Sequence, residues 1–460
     1  MRGRVIDAQG GGGGGREQGP SERWSPAELN RLRGETDPEI DHVVEAYHRE
    51  HPELDARDLV ISMIQELSRA KREPRRFRRD AVDQDGSWLT AAFRVALAPP
   101  RWNIDRGQVE LGQHVFADYG LYQASALFFA SLPMAYASVD GAAVLARVSD
   151  LATHNLTRRV AETGQMLLDV MGLRGGQSPV PGSGPYPLEP GTPGYATAIG
   201  LRLLHACVRV LILDQRGPGR WPTVKYGPPV NQRLMLGTLL DFTAVPWAAM
   251  ARMGVELTDA EREASLHTWS FIGLLMGVEA CRDEPLSLGD VKPIQDQLSH
   301  GLGPSEAGDR LMTALLQEME EFMPLGWRKL PRSVLHWLFQ GAPGRVSQVP
   351  DLLHVPPAAW WSGPLLALLQ AANQGSRWLG PLAWPEQALI RKLGRHVLIG
   401  YTHKYETGPV PFRVPDRLAR GWRVRIGPAG ERVRRVRRSV RRRARARLPR
   451  RGERARGQGA

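Results

Sequence analysis

One run, Gly191 to Gln215 (GTPGYATAIGLRLLHACVRVLILDQ), constrains the fold more than any other part of the chain. Thr192 offers an N-cap oxygen, and Pro193 suits the first helical position, where a missing N–H costs nothing. From Ile199 to Leu213 the run is apolar on nearly every side, interrupted only by Arg202, His205 and Arg209. A helix apolar all round belongs in a core, so the rest of the chain must be built around it. Residues three and four apart share a helix face, which puts Arg202, His205 and Arg209 on one stripe. Two readings of that stripe stay open. In the first, His205 is a core histidine bonded to a carbonyl and both arginines reach solvent; pattern alone favours this. In the second, the imidazole holds an anionic, largely apolar cofactor. Haem would suit, since its iron takes a proximal His and its propionates pair with Arg.

Charge argues against a nucleic-acid-binding body. The formal net charge is +13, but residues 431–460 hold 14 Arg against two Glu, so the other 430 residues net +1. The basicity belongs to a C-terminal tail, and phosphate binding by the folded body has little support. That tail, from Glu431, reads either as a basic amphipathic segment making weak contact with an anionic membrane surface or nucleic acid, or as a solvated extension with no dedicated partner. Two cysteines, Cys207 and Cys281, give neither a disulfide framework nor a CxxC metal spacing. The first residues are basic but lack an apolar run, so no secretory signal is expected. A cytoplasmic protein, membrane-associated at most, is the resulting expectation. Tyr119–Val139 and Leu352–Ser376 are uncharged and long enough to span a bilayer. Prolines break the second, and the first reads as a core or membrane-contacting segment rather than a true span.

Helical spacing dominates elsewhere. Residues 1–35 are Gly-rich and of low complexity, and are expected to be disordered. Helices are expected at Asp37–Tyr47, at Asp55–Lys71, in the Ser87–Ala98 segment, and across Gly107–Val139 with breaks near Gly112 and Gly120. Asp140–Leu173 is the longest helical stretch. Asn231–Met253 reads as helix interrupted near Pro246. Thr258 and Glu261 form a T-x-x-E capping box opening a helix to about Ala280, which carries Gly273 and Gly277 at a spacing that lets a helix or a flat ligand approach. Helices around Ser305–Met323, Pro331–Leu338, Gly363–Asn373 and Leu382–Ile399 follow. Strand alternation, hairpin turns and solenoid repeats are absent. The expected architecture is therefore one large all-α domain, 36–415, between a disordered N-terminus (1–35) and a basic tail (416–460).

A second polar constellation lies in Thr157–Thr163 (TRRVAET), where Arg159, Glu162 and Thr163 share one helix face. It is either a surface ion pair of little worth or a polar site over a cofactor, with Glu162 as a base and Thr163 orienting a bound oxygen species. His267, in Leu-His-Thr-Trp, ranks second to His205 as a ligand because its surroundings are less apolar. Rossmann, Walker A, HExxH and G-x-S-x-G signatures are absent.

In chain order, RRVAETGQMLLDVM, GLRLLHACVR, VNQRLMLGTLLDF and HTWSFIGLLMGV together resemble the catalytic domain shared by latex-clearing rubber oxygenases and MpaB-type oxygenases. The resemblance covers Trp88–Leu286, and more weakly extends to about Pro415. It implies an all-α fold with a globin-like core holding haem b, iron bound by His205 and Arg202 as a propionate partner; Arg209 remains a cofactor-binding candidate from its place on the same stripe. It also implies oxidation or cleavage of a lipophilic, isoprenoid-like small molecule with O2. The distal pattern R-x-x-K-T of rubber-cleaving members is matched here by Arg159 and Thr163, but Glu162 stands where the lysine would be. That departure points away from rubber itself. It leaves two alternatives: a catalytically degenerate haem-binding protein of the same fold, and a membrane-surface binding module using the basic tail.

Overall fold

The computed structural model describes residues 23–51, 100–148, 156–173, 187–213, 220–321 and 323–378. All lie within the compact unit Met1–Arg413; Val414–Ala460 forms a separate unit. The expected helices at Asp55–Lys71, Ser87–Ala98 and Leu382–Ile399 and the basic tail lie outside the described residues. Those described are all-α, with no strand among them and one isolated bridge, Ser138 to Leu302.

The first described helix, α1 (Pro26–Gly34), lies within the stretch 1–35 expected to be disordered, because Trp24, Leu29 and Leu32 bury themselves in the core; α2 (Pro38–Glu50), α3 (Arg106–Asp118) and α4 (Gly120–Ala126) follow. A π turn, Leu127–Ser131, joins α4 to α5 (Leu132–Ala137). Next come α6 (Val139–Val148), α7 (Leu156–Val170) and α8 (Pro193–Leu213), the helix of the apolar run. Thr192 caps α8 as its sequence predicts, its hydroxyl accepting from the Tyr195 N–H at 3.3 Å. The body continues through α9 (Gln232–Asp241), α10 (Ala244–Arg252), α11 (Asp259–Leu275) and α12 (Leu288–Ser299). It ends in α13 (Glu306–Glu321), α14 (Leu330–Phe339) and α15 (Ser362–Trp378).

Several local signals act as expected, and others do not. The Thr258–Glu261 capping box opens α11 in both directions. Pro246 does not break a helix but lies in the first turn of α10, where a proline is tolerated. Gly112 likewise breaks nothing. A Cβ there would meet Ala264 O at 2.5 Å, so this glycine lets α3 and α11 pack in close contact. α11 stops at Leu275, short of Ala280. Gly277 (φ +79°) takes the left-handed position after the helix, and Val278 N–H and Gly277 N–H donate back to Gly273 O and Leu274 O. This is the Schellman arrangement that a glycine permits.

One buried cluster gathers Trp24, Val109, Leu167, Ile199, Leu236 and Ile272 from α3, α7, α8, α9, α11 and the chain before α1. Another gathers Tyr136, Leu311, Leu315, Leu335 and Val349 further along the chain. Trp247 of α10 packs against both. The Tyr119–Val139 run is thus interrupted by Tyr119 and the π turn and packs within the body. By length and composition Pro193–Leu213 and Gln232–Arg252 could cross a membrane, and both windows are mostly buried.

Candidate active site

α8 is not equally packed around its circumference. Leu201, Leu204, His205, Val208 and Leu211 form one stripe, and each keeps some accessible surface. On the adjoining side Arg202, Leu203, Ala206 and Arg209 are buried. His205 stands at the boundary. Its Nδ1 is fully buried and has no hydrogen-bond partner among the described residues. Burial, aided by Arg209 and opposed by Asp37, pushes its pKa down to about 4. At neutral pH the imidazole is therefore uncharged, the form in which a ring nitrogen can ligate a metal. Among the described residues His205 Nδ1 does not make the hydrogen bond to a carbonyl expected of a core histidine.

Arg202 and Arg209 are occupied. Arg202 Nε and Nη2 donate to the two Asp37 oxygens at 2.5 and 2.8 Å, and Nη2 also donates to Glu39 at 2.9 Å. Arg209 Nε and Nη2 donate to Asp41 at 2.8 and 2.6 Å, and Nη1 to Val230 O at 3.2 Å. Burial works against the Arg202 charge, but Asp37 and Glu39 outweigh it and hold its pKa up. The pairing also explains why Asp37, though at the N-cap position of α2, makes no cap bond. Around this junction Gln232 donates to Thr36 O and Gly277 O, and accepts from the Glu279 N–H. A Cβ on Gly277 would run into the Asp37 carboxylate and the Arg202 Nε. The two guanidinium groups expected to face an acidic cofactor thus close a joint between α2 and α8.

α7 packs against α8, and the contact is pinned near the C-terminal end of α7. Thr197 Oγ1 and Gln165 Nε2 each donate to the buried Asp169 carboxylate at 2.9 Å. Glu162 is half-buried and Thr163 exposed on the same helix, and both have interaction partners. Arg159 lies on α7, with its side chain outside the described residues. His267 is engaged: its Nε2 accepts from the Asp105 N–H at 3.1 Å and its ring meets the Trp102 ring edge-on. Burial lowers its pKa, with Asp105 opposing.

Asp241, the last residue of α9, was not singled out by sequence pattern. It shares one face with Leu234 and Thr238, and all three keep accessible surface. Leu234 packs on the small cluster Val144, Ile212 and Trp221, as does Val208 from the His205 stripe. The available signal was a single acid in an otherwise apolar run, LMLGTLLDF.

No curated protein sequence matches this chain. Its fold is similar to a solved structure described as latex clearing protein LCP in the closed state, with a TM-score of 0.58 and 17% identity over 83% of this chain and 95% of that one. A family model, "ER-bound oxygenase mpaB/B'/Rubber oxygenase, catalytic domain", matches residues 116–446, which include α8 and its histidine. By that match, spanning most of its length, the chain belongs to the mpaB/rubber oxygenase catalytic-domain family.

Proposed function

We propose that this protein is a haem b-dependent oxygenase that oxidises or cleaves a lipophilic, isoprenoid-like molecule with O2, with His205 as the residue that would hold the iron. The observation that carries the proposal is His205 itself: a neutral, buried imidazole with an unbonded ring nitrogen, bordered by a partly accessible apolar stripe. Burying a polar nitrogen without a partner costs free energy, and such a cost persists where a ligand recovers it. Among the described residues no group of three or more His, Cys, Asp or Glu could hold a metal ion. One histidine fits a metal whose other ligands come from a macrocycle. Haem, when bound, would supply the O2 chemistry.

The chain's residues do the rest. His205 holds the cofactor at its stripe, and Leu201, Leu204 and Val208 exclude water and offer apolar contact to a greasy chain. Arg202 and Arg209 do not fit as propionate partners, because Asp37, Glu39 and Asp41 already neutralise them. They act instead by holding α8, and therefore His205, against α2. Glu162 and Thr163, with Arg159, remain the proposed polar group on the α7 side, with Glu162 exchanging a proton with an oxygen-bearing reactant.

Protein expressed with added haem should show a Soret band, and His205→Ala should lose it while keeping wild-type helicity. It should also consume O2 when offered isoprenoids. A colourless wild-type protein would overturn the haem assignment. A Soret band in the absence of O2 consumption would favour the degenerate reading, which the glutamate at position 162 suggests.

A further inference from the structure

The uncharged run near the end of the described residues is not packed away. Val355 to Gly375 contains no Asp, Glu, Lys, Arg or His. An apolar stretch of that length normally lies in a core, and here only one edge of it does. Leu366 is buried, and Asn373 donates to Met253 O at 2.7 Å. Those contacts hold α15 on the body and leave its other side facing outward. Trp360 is 92% exposed and Leu368 67%. Pro364 and Leu369 are exposed beside them.

A second segment extends this face. The 3-10 turn Leu325–Trp327 precedes α14, which packs against α15. The Trp327 ring meets the Trp361 ring edge-on, with centroids 5.4 Å apart, and Leu325 is 82% exposed. Among the described residues, five of the eight large apolar side chains left exposed lie in these two segments, so the apolar surface is gathered rather than scattered. Cations border it: Arg328 and Lys329 follow Trp327 directly, and both are exposed. No acid occurs from Met323 to Arg332, and the last one before that stretch, Glu321, ends α13.

We propose that this face, Leu325–Lys329 together with Trp360–Leu369, docks on an anionic lipid bilayer. Its Trp and Leu side chains enter the boundary between headgroups and acyl chains, and Arg328 and Lys329 meet the headgroup charges. Tryptophan favours that boundary because its ring is apolar and its N–H polar. Cations flanking an apolar face gain from acidic headgroups. Charge also selects a bilayer over a second copy of the chain. A twofold contact lays a patch on itself, so Arg328 and Lys329 would meet uncharged surface or each other.

The test is cosedimentation of the purified full chain with vesicles of phosphatidylcholine alone and of an equal mixture with phosphatidylserine; it needs no bound cofactor. The Arg-rich tail is present in every variant, so differences between variants report the face. At about 0.5 M salt, which screens the tail, Trp360→Ala with Leu368→Ser should weaken partitioning into the mixed vesicles about tenfold. At low salt, Arg328→Gln with Lys329→Gln should weaken it about tenfold on the mixed vesicles and leave it unchanged on phosphatidylcholine alone. Trp360→Leu, which keeps an apolar side chain, should bind like the wild type but lose part of the fluorescence quenching by brominated phosphatidylcholine. All these side chains are exposed, and circular dichroism of each variant should match the wild type. Unchanged partitioning of the Trp360→Ala, Leu368→Ser variant, or quenching unaltered by Trp360→Leu, overturns the proposal. A wild type that ignores vesicles but forms a dimer which the same double variant dissolves also overturns it, and makes the face an interface between copies.

Discussion

Two adjoining sides of α8 treat polarity in opposite ways. One side carries Arg202 and Arg209, both buried and both neutralised by the acidic edge of α2. The other carries His205, which keeps some accessible surface and whose Nδ1 makes no hydrogen bond with the described residues. A fold holds buried charge only where partners are complete, so the arginine side is a finished joint. The histidine side leaves polar capacity unspent and apolar surface accessible, as a binding site must. The difference separates what stabilises the helix from what uses it.

Breaking the finished side should have the largest effect. Asp37→Ala leaves the Arg202 guanidinium with Glu39 alone, which is 50% exposed, and should lower unfolding free energy in urea by about 3–5 kcal/mol. A loss below about 1 kcal/mol would mean that the pair contributes no more than a surface bridge. Gly277→Ala attacks the same joint through the backbone. It forces a side chain into a left-handed residue and towards the Asp37 carboxylate, and should cost about 1–3 kcal/mol in the same assay.

The histidine side predicts the reverse sign. In the cofactor-free chain, His205→Leu removes an unbonded buried nitrogen and should raise stability at neutral pH by about 1 kcal/mol. The folded pKa of about 4 lies below the ordinary 6.5, so as pH falls the unfolded chain takes up the proton first. Its stability contribution is whole above pH 6.5 and is lost as pH falls towards about 4. The leucine variant should lack that part of the acid slope in pH-dependent denaturation; an identical slope in both proteins contradicts the neutral assignment. Smallest is Thr258→Ala, which removes the cap oxygen of α11 far along the helix from Gly277. A loss of about 1 kcal/mol or less by thermal unfolding gives the baseline for an ordinary helix end.

What could be read from the sequence was local. The Thr192–Pro193 start of α8, the Thr258–Glu261 box and the all-α class all follow from spacings within a few residues. His205 was marked by one polar ring in an apolar run. The partners of Arg202 and Arg209 were not legible, because Asp37 and Asp41 lie 165 and 168 residues away and nothing local records the pairing. Gly277 was visible as half of a small-residue spacing, but its tasks, ending α11 and clearing space for an ion pair, need the third dimension.

The joint between α2 and α8 also sets an order of events during synthesis. Trp24 donates to Asp290, 266 residues on, and Gln232 donates to Thr36 O across 196. The segment from Trp24 to Asp41 therefore leaves the ribosome long before its distant partners Arg202, Arg209, Gln232 and Asp290 exist. Its aspartates and glutamates can wait in water at little cost, whereas the arginines of α8 cannot be buried until those acids arrive. Closing contacts of such span is slow, and a nascent chain stalled before Asp290 would hold both halves of the joint between α2 and α8 while Trp24 still lacked its acceptor.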